Sequence, residues 1–479
     1  MRICLLAEGS YPYVVGGVSS WVQMLIKGMP EHEFFVYSIG AEESERGQFK
    51  YTLPDNLKGI QEVFLDEILN SKSSEMLENI LSAHEKEVMR ELVTGEKPID
   101  VKELAKIFRV PGRFKSPLSI FMSSDFFDVI ETVYHERYNY LPFTDFFWTL
   151  RSMLVPLFFL LQQELPEADV YHSVATGYCG VIGALAAEVY HKPFIITEHG
   201  IYSREREVEI IKSDWAKGDF KSVWIQYFYN LAKLSYLTAN HVYTLFEHNA
   251  EVEISLGCDP EKIRIVPNGV RMERFEGIGE LQPIDDGEPF TIGAVVRVVP
   301  IKDIVTLLRA FFLVKQEKDL GNARLFVIGG TEEDEEYFSL CRQTVEMLHI
   351  GDVTFTGSVN VTDYLPRLDL LVLSSISEGQ PLAILEGHAA HRPFVATDVG
   401  CCRELLHGEK NDTLGHSGVI VAPMDFQKMA EEIVRLARDF ELRREMGNIG
   451  YERVRRMYTY ERFINEYKNI YAHAMEGGG

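Results

Sequence analysis

Two carboxylates that stand eight residues apart, Glu378 and Glu386, mark the segment with the most chemical potential. Glu378 falls in a predicted loop after a buried strand. Glu386 falls inside the predicted next helix, whose first position is Pro381, where a missing N–H costs nothing. The free N–H groups of a first helical turn bind anions, and carboxylates accept hydrogen bonds from hydroxyl groups. This spacing predicts a site for a ligand with phosphate and sugar hydroxyls. Taken alone, either glutamate could instead be an ordinary helix-terminus or surface residue.

A second cluster follows the predicted strand at residues 291–296 and contains two cations, Arg297 and Lys302. Both fall in the loop between that strand and the next predicted helix. In a chain of net charge −24, two cations at a strand's carboxyl end indicate a clamp for a diphosphate. Such a clamp would stabilise the charge that builds on a leaving nucleotide. The alternative is a pair of ordinary surface cations, with Lys302 beside Asp303.

Shorter signals lie in the first half of the chain. Gly16 and Gly17 follow the first predicted strand, where glycines let a loop approach a ligand with open N–H groups. They do not form a G-x-G-x-x-G fingerprint, which argues against a dinucleotide site. His172 and the pair Glu198-His199 end two predicted strands, where a histidine can donate to a sugar hydroxyl or transfer a proton. A purely structural histidine remains the alternative at both positions.

Composition narrows the classes of partner. The net charge of −24 repels phosphate backbones and anionic lipid, which argues against nucleic-acid binding and membrane-surface binding. The cysteines show no C-x-x-C spacing, so we expect reduced, buried thiols and neither a disulfide framework nor a metal site. They are Cys4, Cys179, Cys258, Cys341, Cys401 and Cys402.

The elements that must position these residues alternate between strand and helix, which predicts parallel sheets covered by helices. Predicted strands are at 2–7, 34–39, 170–173, 193–197, 241–245, 263–266, 291–296, 325–328, 353–355, 370–374, 394–397 and 419–422. Predicted helices include 18–27, 74–93, 181–190, 222–238, 304–315, 335–348, 426–438, 442–457 and 460–474. The apolar stretch 146–161 contains Arg151 and Pro156 and is shorter than a membrane span, so we expect a core helix, with an interfacial helix as the alternative.

The alternation divides the chain into two α/β domains. The first covers residues 1–275 and is interrupted at about 41–145 by a charged, then aromatic, mostly helical insertion. A polar, glycine-rich segment at 275–288 is the predicted linker, and the second domain covers 276–455. The remainder, 456–479, is a final helix with a disordered glycine tail. A cap on the acceptor, a spacer or a docking surface are equal alternatives for the insertion.

The combined pattern resembles glycosyltransferase family 4 over most of the chain outside residues 41–145. The spaced glutamates with the Arg/Lys pair are the specific part of the resemblance. Its motifs are Gly16-Gly17, Glu198-His199-Gly200, the sequence VPNGV at 266–270, Arg297 with Lys302, residues 377–379 with Glu386, and residues 418–425. The resemblance implies the GT-B fold, in which two Rossmann-like domains face a cleft and the last helix returns to the first domain.

The resemblance also implies a retaining, metal-independent transfer from a UDP-sugar. Carried over by motif, Arg297 and Lys302 bind the donor diphosphate, Glu378 contacts the hexose and Glu386 contacts the ribose. His199 is then near the reacting sugar. Gly16, Gly17, Gly379, Gln380, Pro381 and Leu382 complete the donor site, and His172 and Glu198 are on the acceptor side. The implied acceptor is a polysaccharide, and the implied setting is the cytoplasm, in association with an inner-membrane synthase complex.

Two departures and three rivals remain. The insertion is not general to the family, so acceptor geometry does not transfer. Gln380 stands at a position that is often aliphatic or aromatic, which leaves the sugar contacts open. The rivals are a nicotinamide-dependent oxidoreductase, a nucleotide-sugar-binding scaffold without turnover, and a UDP-sugar epimerase of the same fold.

Overall fold

Two separate parallel sheets organise the chain in the computed structural model, which describes residues 1–70, 80–285, 287–409 and 412–476. Two compact units result. The first contains the described parts of 1–244 and 249–265 and the chain from Glu466 onward, and the second contains 245–248 and 266–465. Asp286 of the predicted linker, residues 74–79 of a predicted helix and the glycine tail lie outside the described residues.

The first unit is built on a seven-stranded sheet with strand order β3-β2-β1-β4-β5-β6-β7. Each pair of neighbours is parallel. Its strands are β1 (Arg2–Glu8), β2 (Glu33–Gly40), β3 (Leu57–Phe64), β4 (Val170–Ser173), β5 (Phe194–Glu198), β6 (His241–Thr244) and β7 (Ile263–Ile265). The strand order reverses between β1 and β4. At such a switch point two neighbouring crossovers diverge and open a crevice at the carboxyl ends of the strands.

Helices cover this sheet because its central strands are apolar on both faces, as in β1, where five consecutive residues are buried. They are α1 (Gly17–Gly28), α2 (Ala83–Thr94), α3 (Val101–Phe108), α4 (Pro117–Phe121), α5 (Ser124–Val133), α6 (Phe143–Gln162), α7 (Tyr178–Tyr190), α8 (Tyr202–Lys212), α9 (Phe220–Thr238) and α10 (Glu247–Ser255). The α10 helix begins in the residues assigned to the second unit and ends in the first.

The predicted insertion at 41–145 needs one correction. A mostly helical insertion was expected, but β3 is a strand of the main sheet and pairs with β2 over seven residues. Most of β3 is only partly buried, and Lys58, Gln61 and Glu62 interrupt its apolar pattern. An edge strand has one free side, so it tolerates such residues and resembles a polar helix or loop in sequence. The insertion therefore starts after Phe64.

Helix α6 is the one helix of the described residues that is long and apolar enough to cross a membrane by length and composition. Its side chains Phe146, Leu154 and Phe158 are buried in the hydrophobic core of the first unit. The expectation of a core helix at 146–161 fits this packing.

The second unit is built on a six-stranded parallel sheet with strand order β10-β9-β8-β11-β12-β13. Its strands are β8 (Thr291–Val295), β9 (Arg324–Ile328), β10 (Val353–Phe355), β11 (Leu370–Leu373), β12 (Phe394–Thr397) and β13 (Gly418–Val421). The order reverses between β8 and β11, which places a second switch point at the carboxyl ends of those strands.

The helices of the second unit are α11 (Ile304–Gln316), α12 (Glu335–Met347), α13 (Leu382–Ala389), α14 (Cys402–His407), α15 (Phe426–Arg438) and α16 (Phe440–Met457). The last helix, α17 (Tyr460–Glu476), begins in the second unit and ends in the first, where Tyr467 and Tyr471 are fully buried. All six cysteines are buried and unpaired, as their spacing predicted.

Candidate functional site

Three of the predicted site residues, Arg297, Lys302 and Glu378, lie at the switch point of the second unit. Arg297 and Lys302 lie in the segment after β8, and Glu378 lies in the segment after β11, the neighbouring strand. Hydrogen bonds connect the two segments: the Ile376 N–H donates to the Ile301 carbonyl at 2.8 Å, and the Ser374 hydroxyl donates to the Lys302 carbonyl at 2.8 Å. Two residues 76 positions apart in sequence therefore share one small region.

Lys302 and Glu378 form the centre of that region. The Lys302 Nζ lies 2.6 Å from Glu378 Oε1, and the Ser375 hydroxyl donates to the same oxygen at 2.5 Å. The two charged side chains are 17% and 9% exposed, so this is a largely desolvated ion pair with an added hydrogen bond. A charge pair fixed in this way at the carboxyl edge of a sheet can offer a cation to an anionic ligand without a large change in structure.

Lys302 is positioned by the turn that contains it. Residues Pro300–Lys302 form a short 3-10 turn, and Asp303 follows with a positive φ of 45°. The Asp303 carboxylate then caps α11 by accepting a hydrogen bond from the Thr306 N–H at 3.3 Å. The Lys302-Asp303 neighbourhood that suggested an ordinary surface ion pair therefore has another explanation, because Asp303 serves the helix.

Arg297 is held differently. Its guanidinium is half exposed and pairs with both carboxylate oxygens of Glu333, at 2.6 Å for the longer bond. The loop after β9 supplies this partner, and it lies against the loop after β8 because Gly329 has no side chain. A Cβ on Gly329 would stand 2.1 Å from the Val296 carbonyl. Gly329 was not among the predicted site residues, although two glycines directly after a strand were a usable signal.

Gly400 was also not predicted as a site residue, and it packs against the backbone of the loop that contains Glu378. It has a φ of +52°, and a Cβ there would stand 2.2 Å from the Glu378 carbonyl oxygen and 2.4 Å from that of Gly379. The Cys401 N–H also donates to the Gly379 carbonyl at 3.1 Å. The loop that contains Glu378 thus lies directly on a bare backbone position.

The helix after this loop differs slightly from the prediction. α13 begins at Leu382, and Pro381 is its N-cap with an extended ψ of 111°, so the predicted first helical position is one residue too early. Gln380 is almost fully buried and turns to the protein: its Oε1 accepts a hydrogen bond from the Asn268 N–H at 2.6 Å. The residue that departed from the family pattern therefore ties the loop to the segment at 266–270.

Glu386 lies inside α13, with its side chain 21% exposed and its Oε1 3.1 Å from Arg274 Nη1. Burial raises the pKa of Glu386, and the charge and hydrogen bond of Arg274 act in the opposite direction. Lys302 with Glu378 and Glu386 with Arg274 are thus two separate pairs within one unit.

In the first unit, Gly16 and Gly17 lie where α1 begins, with Gly16 as the N-cap. A Cβ at either glycine would meet no atom within 4 Å among the described residues, so neither is required by local packing. His199 follows β5 and packs edge-on against Trp21, with ring centroids 4.6 Å apart. Burial lowers the pKa of His199 to about 3, which makes the imidazole neutral at physiological pH.

His172 and Glu198, which the resemblance places on the acceptor side, are both internal. The His172 ring is fully buried, and its nitrogens bond to the hydroxyls of Tyr471 at 2.7 Å and Thr197 at 2.8 Å. Glu198 is also fully buried, and the N–H and hydroxyl groups that donate to it are those of Tyr202, Thr176 and Tyr236. Their positions at strand ends made these residues candidates. The sequence does not reveal that a tyrosine of α17, Tyr471, forms a hydrogen bond with the His172 ring.

Within the described residues, no group of three or more His, Cys, Asp or Glu side chains is arranged to hold a metal ion.

Two protein-family patterns match the chain. Residues 1–261 match a domain of unknown function (DUF3492), and residues 289–439 match "Glycosyl transferases group 1". The second match contains both segments of the β8/β11 switch point, with Arg297, Lys302, Glu378 and Glu386.

Several proteins of similar sequence are named as glycosyltransferases or as enzymes of glycoside synthesis. N-acetyl-alpha-D-glucosaminyl L-malate synthase of Bacillus anthracis is 26% identical over 65% of this chain and 75% of its own length. An Escherichia coli galactosyltransferase, named for UDP-Gal and alpha-D-GlcNAc-diphosphoundecaprenol, is 26% identical over 60% and 70%. The capsular polysaccharide biosynthesis glycosyltransferase CapM of Staphylococcus aureus is 25% identical over 68% and 81%.

Solved structures confirm the predicted fold class. Sucrose-phosphate synthase of Thermosynechococcus elongatus superposes with a TM-score of 0.61 at 16% identity and covers 99% of both chains. Anabaena Alr3699/HepE in complex with UDP-glucose gives a TM-score of 0.60 at 14% identity, covering 99% of this chain and 100% of its own. At this level of identity the likeness concerns the fold: two Rossmann-like parallel sheets of the GT-B kind.

Proposed function

We propose, from the premise that this chain belongs to the DUF3492 family and carries a group 1 glycosyltransferase domain, that it is a retaining, metal-independent hexosyltransferase. It moves a hexose or N-acetylhexosamine from a UDP-sugar to a growing polysaccharide. The opening residues 1–21 and the long insertion resemble the cytoplasmic glycosyltransferase of Pel exopolysaccharide synthesis. The proposed product is therefore an exopolysaccharide of that type, made with an inner-membrane synthase complex.

The observation that carries the proposal is the Lys302–Glu378 pair at the β8/β11 switch point, with Arg297 in the same loop and Glu386 in the following helix. The two cations follow β8 at the carboxyl edge of the sheet, where parallel α/β sheets bind ligands. Such cations neutralise charge that develops on a departing diphosphate. UDP as the leaving nucleotide is supported by similar proteins whose names or complexes include UDP-sugars.

The proposed chemistry is a front-face displacement. The bond between the anomeric carbon and the β-phosphate oxygen breaks, and the acceptor hydroxyl oxygen bonds to the same face of that carbon. The acceptor proton passes to the departing phosphate, and UDP leaves. Lys302 and Arg297 stabilise the negative charge on UDP during bond cleavage.

Glu378 has a binding role in this scheme. Lys302 and Ser375 both contact its Oε1, which leaves Oε2 to accept a hydrogen bond from a sugar hydroxyl. A double displacement would instead need a carboxylate free to attack the anomeric carbon. A glycosyl–enzyme adduct on Glu378, trapped with a slow donor and located by mass spectrometry, would overturn the front-face assignment.

The activity test measures UDP release from UDP-glucose, UDP-galactose, UDP-N-acetylglucosamine and UDP-N-acetylgalactosamine, with oligosaccharide acceptors and excess EDTA. We expect release from at least one donor that requires an acceptor, survives EDTA and gives a product with the donor's anomeric configuration by NMR. Loss of turnover in EDTA, or an inverted product, would contradict the metal-independent or the retaining assignment. Donor conversion without an acceptor would favour an epimerase, and binding without turnover would favour a scaffold.

A further inference from the structure

The segment at 266–275 contacts helix α13, which contains Glu386, and the residue just before it at two places. At its start, the Asn268 N–H donates to Gln380 Oε1 just before the helix, at 2.6 Å. At its end, Arg274 Nη1 donates to Glu386 Oε1 inside the helix, at 3.1 Å. These contacts are six residues apart on both partners, so the segment runs alongside the helix in fixed register.

The same segment is fixed on its other side. Val270 exchanges backbone hydrogen bonds with Tyr458 and Tyr460, at 2.8 and 2.9 Å. Gly269 lies against the Thr459 carbonyl, where a Cβ would stand 2.3 Å away, and the Arg271 guanidinium stacks on the Tyr460 ring at 3.6 Å. Arg274 therefore extends from an anchored backbone and its position is defined.

Arg274 contacts one oxygen of Glu386 and leaves the other open. Among the described residues, Glu386 Oε2 accepts no hydrogen bond, and the carboxylate is 21% exposed. A carboxylate on a flexible side chain has several rotamers, and a guanidinium bound to one oxygen selects among them. The other oxygen is then held in one orientation and remains available to accept a hydrogen bond.

We propose that Arg274 is a positioning residue that orients Glu386 to accept hydrogen bonds from the ribose hydroxyls of the donor nucleotide. This inference rests on the proposed function, in which Glu386 contacts the ribose. Arg274 itself makes no contact with the nucleotide in this proposal. Its effect is therefore specific to ligands that carry ribose hydroxyls, whereas a merely structural role would affect all nucleotides equally.

The test compares calorimetric binding of UDP and 2′,3′-dideoxy-UDP to the full chain and to four variants. Arg274→Met removes the guanidinium, Arg274→Lys keeps a charge without the planar fork, and Glu386→Gln removes the acceptor charge. Arg435→Met is the matched control, because Arg435 is a half-exposed arginine that pairs with one largely buried glutamate, Glu432, on α15. Thermal unfolding of each variant confirms the folded state before titration.

We expect the wild type and Arg435→Met to prefer UDP over the dideoxy compound by at least tenfold. Glu386→Gln should bring the two affinities within about threefold, since hydrogen bonds to a charged acceptor are the stronger ones. Arg274→Met should weaken UDP about tenfold and leave dideoxy-UDP unchanged, with Arg274→Lys between it and the wild type.

Equal weakening of both nucleotides by Arg274→Met, or a wild-type preference in that variant, would overturn the inference. If Arg274→Met does not fold, a wild-type preference in Arg274→Lys overturns it equally. A wild-type protein that binds no UDP would contradict the proposed function instead. If the protein binds UDP and Glu386→Gln still prefers UDP over the dideoxy compound, the ribose does not bind at Glu386. That result would overturn the inference about Arg274 but would not contradict the proposed activity.

Discussion

At the scale of single residues, Glu253 carries a cost that function does not explain. The side chain is fully buried, and among the described residues neither carboxylate oxygen has a hydrogen-bond partner. Burial and the nearby negative charge of Glu198 raise the pKa of Glu253 to about 9. The folded protein therefore keeps a proton that the unfolded chain releases near pH 4.3.

This raised pKa predicts how Glu253 contributes to stability at different pH. Between about pH 4.3 and pH 9 the folded state keeps a proton on Glu253 that the unfolded state has lost, so the contribution of Glu253 to the free energy of unfolding falls as pH rises. Glu253→Met removes the titrating group and should raise the free energy of unfolding by about 2 kcal/mol at pH 8, with a smaller gain at pH 5. Urea denaturation at both pH values measures the difference.

Glu261→Met is the control, since Glu261 is exposed in the same unit and should change stability little at either pH. A Glu253→Met protein that is less stable than the wild type at pH 8 would mean that the buried carboxylate makes a favourable contact.

The site residues show how far sequence reasoning reaches at this scale. Residue types and spacing were sufficient to select Lys302 and Glu378, which the structure brings to 2.6 Å. The same reasoning selected His172, whose two ring nitrogens are occupied by Thr197 and Tyr471. Partners this distant in sequence depend on the packing of α17, which local pattern does not encode.

At the scale of elements, the loop after β11 depends on Gly400. A Cβ there would collide with the carbonyl oxygens of Glu378 and Gly379, and the positive φ adds backbone strain. Gly400→Ala should therefore displace the Glu378 loop and weaken UDP binding at least tenfold, while the sheet stays folded. Calorimetry with UDP measures the first effect and circular dichroism the second.

Gly321→Ala is the matched control, because a Cβ at Gly321 meets no atom within 4 Å among the described residues. It should bind UDP as the wild type does. Unchanged UDP binding in Gly400→Ala would show that the loop adjusts without cost, and that Gly400 does not position the site.

Most elements followed from the sequence because the central strands are short, apolar and separated by helices of regular period. The central strands β4 and β12 have the predicted bounds, and α15 also begins and ends as expected. The edge strand β3 was not predicted, because it carries charged residues and packs on one side. The predicted start of α13 is also one residue early, a shift that depends on the local ψ of Pro381.

At the scale of the whole molecule, the strand order explains why residues from separate segments meet. Alternating strands and helices predict a parallel sheet but do not specify the order of its strands. The order β10-β9-β8-β11-β12-β13 makes β8 and β11 neighbours and brings their following loops to one crevice. The residue types at the site could therefore be predicted from the sequence, whereas the strand order determines that they lie close together.

The net charge of the whole chain affects the binding of anionic ligands. With a net charge of −24, the protein repels nucleoside diphosphates at long range, so binding depends on local cations. Arg297 is half exposed and already paired with Glu333, and Lys302 is nearly buried and paired with Glu378. Removing both should therefore abolish diphosphate binding, because Arg297 and Lys302 are the two cations between β8 and α11.

The most direct measurement is a calorimetric titration of the wild type and the Arg297→Ala/Lys302→Ala double variant with UDP, UDP-glucose, UDP-N-acetylglucosamine, UDP-N-acetylgalactosamine, GDP-mannose and NADH. We predict that the wild type binds UDP compounds more tightly than GDP-mannose or NADH, and that the double variant loses this binding while keeping its fold. UDP binding that the double variant retains, or a wild type that binds none of these ligands, would contradict a donor site at the β8/β11 switch point.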